Sequence, residues 1–186
     1  GAMLEEIVTT ARKKSDAEKA QEVPVALTAF GAAQLDALFV KKLDDLSYRM
    51  PNVQLEAVGT FPGVQNFSIR GQGINSSIPS IDPTVGVFVD GVYLGFNGGV
   101  VFDVFDLDSV EILRGPQGTL FGKNTVSGAI NLVTKVPDEE FRAEVQAEAG
   151  NFGYVQGGAY LSGGLSDTVF ASASVAYDEW DGYETN

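Results

Sequence analysis

The stretch "LRGPQGTLFGKNTVSGAINLVT" (residues 113–134) sets four glycines and a Gly-Lys pair between two short apolar runs. Backbone amides in such a loop could cradle a phosphate. A phosphate-binding loop needs a glycine, four residues, then Gly-Lys followed by Ser or Thr, so that amides wrap the anion and a hydroxyl reaches Mg²⁺. Here only three residues separate Gly118 from Gly122, and Asn124 follows Lys123. The loop is too short and lacks the metal ligand, which leaves phosphate as the weaker reading and a backbone-shaping role as the stronger. A second candidate is acidic: Asp103, Asp106 and Asp108 in "FDVFDLDSVE" suggest calcium, but the glycine and terminal glutamate of a calcium loop are missing. A solvated or helix-capping group fits them better, and no metal site is expected. The chain has no Cys and no His, so thiolate or imidazole metal centres and Ser-His-Asp or Cys-His catalysis are excluded. No local pattern marks a paired carboxylate acid and base, and neither enzyme activity nor a cofactor is expected.

The elements that position these residues belong to a chain of 186 residues, 44% hydrophobic and 20% charged, which suits one domain with an appendage. Its 12 basic and 25 acidic residues give a net charge of −13. Such a surface repels nucleic-acid phosphates. The basic runs Arg12-Lys13-Lys14 and Lys41-Lys42 read as solvated side chains, not as an anionic-lipid site. No apolar run is long enough for a membrane-spanning helix, and no signal peptide is recognisable. Gly1-Ala2-Met3 looks like a tag-cleavage scar, in which case a natural leader was removed upstream.

Residues 4–22 join a β-prone run (Ile7 to Thr10) to a charged stretch that can bury little, and read as a mobile arm. "VPVALTAF" (23–30) alternates as a strand. From Ala32, Leu35, Leu38, Phe39, Leu43 and Leu46 fall at helical spacings until Pro51, predicting one or two helices with a break near Val40. "TVGVFVDGVYLG" (84–95) is the clearest local signal: two β-rich runs flank Asp90-Gly91, a pair suited to a two-residue hairpin turn. Strands are expected at 109–113 and 129–134, and loops at 59–66, 71–84 and 95–100. This part is α+β.

After Pro137 the pattern changes. In 141–150 Phe141, Ala143, Val145, Ala147 and Ala149 alternate with Arg142, Glu144, Gln146 and Glu148. "YVQGGAYLSGG" is a weaker, glycine-laden run, and 169–177 alternates again from Val169 to Tyr177. Turns are expected at 151–153 and 162–168. An ordinary half-buried antiparallel meander fits. So do strands of a membrane barrel, which need roughly 9–11 residues with apolar and polar faces alternating. Phe141, Tyr154, Tyr177 and Trp180 near the ends would suit interfacial girdles. Periodicity alone does not separate the two.

Four segments, "EEIVTTARK" (5–13), "FSIRGQG" (67–73), "GVFVDGVYLG" (86–95) and "VEILRGPQGTLFGKNTVSGAINLVTKVP" (110–137), occur in the order found in TonB-dependent outer-membrane receptors, which the chain resembles over nearly its whole length. The resemblance implies residues 4–22 as an arm carrying a TonB box, 23–137 as a plug domain (a small mixed sheet with helices and long loops), and 138–186 as the first, truncated strands of a barrel of about 22 strands. It assigns the box to Glu5, Glu6, Ile7, Val8, Thr9, Thr10 and Ala11, which would add as a strand to the C-terminal domain of TonB. Arg70-Gly71 and Arg114-Gly115 match the family's Arg-Gly motifs, which seat the plug in the barrel. A guanidinium holds a carboxylate there through two parallel bonds, and glycine permits close backbone approach. Asn75, Ser76, Ser77 and Asn97 fall in loops that would face the ligand.

The implied function is gating of energy-coupled import across the outer membrane of a Gram-negative bacterium, with the arm in the periplasm. The cargo would be a scarce or large nutrient: a siderophore, haem, cobalamin, a glycan or an aromatic compound. The rival is a soluble periplasmic binding or adaptor module, with 138–186 completing its own sheet and no transport role.

Overall fold

The computed structural model describes residues 8–9, 18–19, 26–40, 42–57, 65–73, 83–95 and 106–179. The chain divides into two compact units, Gly1–Thr134 and Lys135–Asn186.

In the first unit, β1 (Val8–Thr9) pairs antiparallel with β2 (Glu18–Lys19). β3 (Ala26–Gly31) runs directly into helix α1 (Ala32–Ala37). The predicted break near Val40 is present, and its agent is Phe39. This residue takes a left-handed φ of 54° while Val40 N–H donates to the Leu35 carbonyl and Phe39 N–H to that of Asp36. That is the helix-ending bond pattern usually built on glycine. The second helical segment, Leu43–Tyr48, is a 3₁₀ helix, begun by a bond from Lys42 N–H to the Asp45 carboxylate. Leu35, Leu43 and Leu46 point inward from these two turns.

β4 (Val53–Ala57), β5 (Gln65–Ile69) and β6 (Gln72–Gly73) form a three-stranded antiparallel sheet. The loops expected at 59–66 and 71–84 thus contain strand at Gln65 and Asn66 and at Gln72–Gly73. Their polar, glycine-bearing sequence hid pairing that depends on partners. Ser47 Oγ accepts from Leu55 N–H at 2.6 Å and donates to the Leu55 carbonyl at 3.0 Å, tying β4 to the 3₁₀ helix.

β7 (Val85–Val89) and β8 (Val92–Tyr93) make the expected hairpin, with Asp90 and Gly91 at φ 48° and 78°. Two successive positive φ values define the turn whose twist matches its strands. β9 (Leu107–Arg114), a four-residue helix α2 (Gly118–Phe121) and β10 (Gly128–Thr134) complete the unit. The large sheet has the order β3-β9-β10-β7-β8, with β10 parallel to β7 and the other neighbours antiparallel. Its central strands are buried on both faces, as sheets covered on both sides require. One face, with Val85, Val87, Val110, Ile112, Ile130 and Leu132, joins the helices and the small sheet in a single core. Phe88, Leu113, Phe121 and Ala129 cluster apart from it.

The second unit is a meander of β11 (Arg142–Ala149), β12 (Val155–Ser166) and β13 (Val169–Glu179). β12, the weakest of the three in sequence, is the longest. It runs to Ser166, so the turn expected over 162–168 shrinks to Asp167-Thr168. Glycine lowers strand propensity, but pairing on both edges overrides it.

Candidate functional site

The two Arg-Gly motifs meet. Arg70 and Gly71, at φ 56° and 74°, form the turn between β5 and β6, and Arg70 N–H donates to the Asn52 carbonyl at 2.7 Å. Arg114 ends β9 on the core face, two residues beyond Ile112. A Cβ on Gly115 would lie 3.9 Å from Arg70 Nη1, so the Arg70 guanidinium reaches the backbone of the second motif. Gly115 N–H donates to the Ser127 carbonyl, and Ser127 Oγ donates to Gln72 Oε1, one residue past Gly71. One residue further, Gly128 packs so tightly that a Cβ would strike the Leu113 carbonyl and approach Ile69 Cδ1 to 2.7 Å. The corner is therefore closed by backbone contact, which explains its need for glycine.

The guanidiniums differ in what they meet. Arg114 Nη2 donates to Thr28 Oγ1 at 2.9 Å, binding the end of β9 to edge strand β3, while its buried Nε has no partner among the described residues. Arg70 is exposed. Among the described residues neither side chain meets a carboxylate. Two cations at one corner that meet no described carboxylate can receive further acidic groups.

In the glycine stretch that follows the second motif, three amides are engaged internally and not turned to a phosphate. Gln117 N–H donates to the Thr125 carbonyl, Phe121 N–H to that of Gln117 and Gly122 N–H to that of Gly118. Thr125 Oγ1 donates to the Gly122 carbonyl, and Asn124 Nδ2 to Tyr93 Oη. The loop closes on itself and onto the β7–β8 hairpin.

In the second unit the register sorts the side chains. Ala143, Val145, Ala147 and Ala149 lie opposite Leu161, Ala159, Gly157 and Val155. Beyond them stand Ala173, Val175 and Tyr177 on the same face. The other face carries Glu144, Gln146 and Glu148 beside Tyr160, Gly158 and Gln156, then Ser174 and Ser172. The apolar face is open: Val145 is 81% and Val175 65% exposed. At about 3.3 Å per residue the 11 residues of β13 extend about 36 Å. A tilt near 45° reduces that to about 26 Å, close to the ~25 Å apolar band of an outer-membrane barrel. Arg142 bridges Asp138 at 2.7 Å and Glu140 at 3.1 Å at the start of the first strand.

Of the other expected site residues, Val8 and Thr9 lie in β1, and Glu5, Glu6, Ile7, Thr10 and Ala11 fall outside the described residues. Asn75, Ser76, Ser77 and Asn97 fall outside them as well, as does Asp103. Among the described residues no group of three or more His, Cys, Asp or Glu could hold a metal ion. Sequence reasoning missed two polar groups. Asp90 accepts from Thr134 N–H and Oγ1 at 2.9 and 2.8 Å, so the turn residue also fastens the end of β10. Asn131 Nδ2 donates to Glu111 Oε2 at 2.8 Å, with both residues buried on the sheet face away from the main core. A lone glutamate in the apolar run "VEIL" was the available signal.

A family model described as TonB-dependent Receptor Plug Domain matches residues 19–129. The chain is 35% identical to the pesticin receptor of Yersinia pestis over 153 residues, 82% of this chain and 20% of that receptor. It is 28% identical to the ferripyoverdine receptor of Pseudomonas aeruginosa over 165 residues, 86% of this chain and 19% of that one. The solved ferric yersiniabactin uptake receptor of Yersinia pestis superposes with a TM-score of 0.72 at 30% identity, over 84% of this chain and 24% of that structure. A mixed-sheet plug followed by strands that do not close a barrel is the class these features define. The chain belongs to the TonB-dependent receptor family, of which it carries the plug domain. It spans about a fifth of the length of these curated relatives. The family is one of receptors and transporters, not enzymes, and the soluble-module rival finds no support in these matches.

Proposed function

We propose that this chain is the gate of an outer-membrane transporter that takes up a scarce nutrient with energy supplied through TonB. The convergence of the two Arg-Gly motifs carries the reading. It presents two guanidiniums that no described carboxylate neutralises, at a corner held by close backbone contact. Carboxylates on the inner wall of the barrel would complete them and seat the plug. The open apolar face of β11–β13 supports insertion into lipid at the start of that barrel. The arm then lies in the periplasm, where residues 5–11 add as a strand to the C-terminal domain of TonB. Loop residues Asn75, Ser76, Ser77 and Asn97 face the ligand. Relatives named as ferripyoverdine receptor and vitamin B12 transporter favour an iron chelate or cobalamin-like cargo.

Because main-chain bonds drive strand addition, proline in the box is more damaging than loss of a side chain. Titration of the chain with purified TonB C-terminal domain is expected to show saturable binding, modestly weaker for Ile7→Ala. Binding should be largely lost for Val8→Pro and for deletion of residues 4–12. Equal affinity for wild type, Val8→Pro and the deletion would remove the box from this position.

A further inference from the structure

A box that binds as a lone strand leaves the pairing of β1 with β2 without a purpose. Val8 stands opposite Lys19 and Thr9 opposite Glu18 in an antiparallel ladder. A strand has two hydrogen-bonding edges. β2 takes one edge of β1, and among the described residues no strand pairs with the other. A two-stranded pair is marginal in water and gains stability when a third strand joins it. We propose that β1 and β2 dock on TonB together as a β-hairpin, with the free edge of β1 pairing the edge of TonB's sheet and β2 becoming the outermost strand. This rests on the reading of residues 5–11 as the TonB box.

Two consequences follow for recognition. β1 meets its partner already extended, so less backbone freedom is lost on binding. The docked box also does not become a bare edge. Charged residues, lysine above all, protect an edge strand from further pairing, and β2 consists of Glu18 and Lys19. A lone box would leave its β-branched run "IVTT" as the terminal edge of the composite sheet, open to a further chain.

The test uses the whole chain, purified TonB C-terminal domain, and amide hydrogen exchange with calorimetric titration. The hairpin is expected to bring protection to Glu18 and Lys19 as well as to residues 5–11 in the complex. Glu18→Pro/Lys19→Pro, which removes both donors of β2, is expected to weaken binding about fivefold by removing the preorganisation. Glu18→Val/Lys19→Val, which favours the extended form, is expected to tighten it. Binding that is lost on deletion of residues 4–12 but unchanged or tightened by the double proline, with Glu18 and Lys19 unprotected, keeps the box and overturns the hairpin. Binding indifferent to both changes overturns the hairpin and the box together.

Discussion

Replacing Arg70 with asparagine separates what this residue does for the plug from what it does for the assembled receptor. Arg70 sits at φ 56° in the first position of a two-residue turn, followed by Gly71 at 74°. Asparagine is several-fold enriched over ordinary residues in that region and Asn-Gly is the preferred pair for this turn, a difference of about 1 kcal/mol. The backbone bond from Arg70 N–H to the Asn52 carbonyl survives the change. The lost guanidinium is exposed and makes no described ion pair, so its removal offsets about 0.5 kcal/mol at most. Arg70→Asn should therefore stabilise this chain by roughly 0.5–1 kcal/mol, raising the urea midpoint by about 0.3–0.5 M for a slope near 2 kcal/mol/M. In the full-length receptor the sign reverses. If Arg70 holds a buried barrel carboxylate, the orphaned anion costs about 3–5 kcal/mol, and the plug is extracted at lower denaturant. Equilibrium unfolding of the chain and plug extraction from the receptor, run side by side, read both terms. A chain destabilised by 1 kcal/mol or more would make the guanidinium an internal support and refute the reasoning. Unchanged extraction for both Arg70→Asn and Arg114→Ala would count against docking.

Gly128→Ala is expected to destabilise the plug by about 1–3 kcal/mol in urea unfolding, because its methyl meets the Leu113 backbone and Ile69. Asn131→Leu removes a donor to a buried carboxylate and should lower stability by about 2 kcal/mol, whereas Asn131→Leu combined with Glu111→Leu should recover much of that loss. A double-mutant cycle on the same chain checks this. In the full-length receptor, Val175→Lys on the apolar face should cost about 2–4 kcal/mol in the folding equilibrium in vesicles, while Gln146→Lys on the opposite face is nearly neutral. Equal effects would assign the wrong face to lipid.

What could be read ahead of the structure was what short-range chemistry determines. Asp90-Gly91 specified its turn through two residues with positive φ, and the alternation in 141–149 and 169–177 specified strands and their faces. β4, β5 and β6 escaped because their pairing is not written in local pattern: "VQLEA" and "QNFSI" become strands against each other and against Ser47. β12 was undervalued because four glycines depress its propensity while two neighbours hold it. At the site, both Arg-Gly pairs were visible, but their meeting is a tertiary fact. So is the reason for Gly128, which lies in the Leu113 backbone and the Ile69 side chain. Asp90 looked like turn chemistry alone because its second task involves Thr134, 44 positions away.

The edge position of β3 bears on the order in which the chain folds. The Arg114–Thr28 bond that fastens it spans 86 positions. β3 therefore stays without its sheet until β9 has been delivered, and the parallel β7–β10 pair must wait for β10. β12 and β13, by contrast, are joined by two residues and close locally as soon as they emerge. Contacts of high sequence separation form slowly and local hairpins quickly. The apolar face of the meander can thus take shape at about the time the plug sheet first becomes complete, with lipid or a chaperone the alternatives to self-association. A plug with more local pairing could be complete well before the strands that follow it emerge.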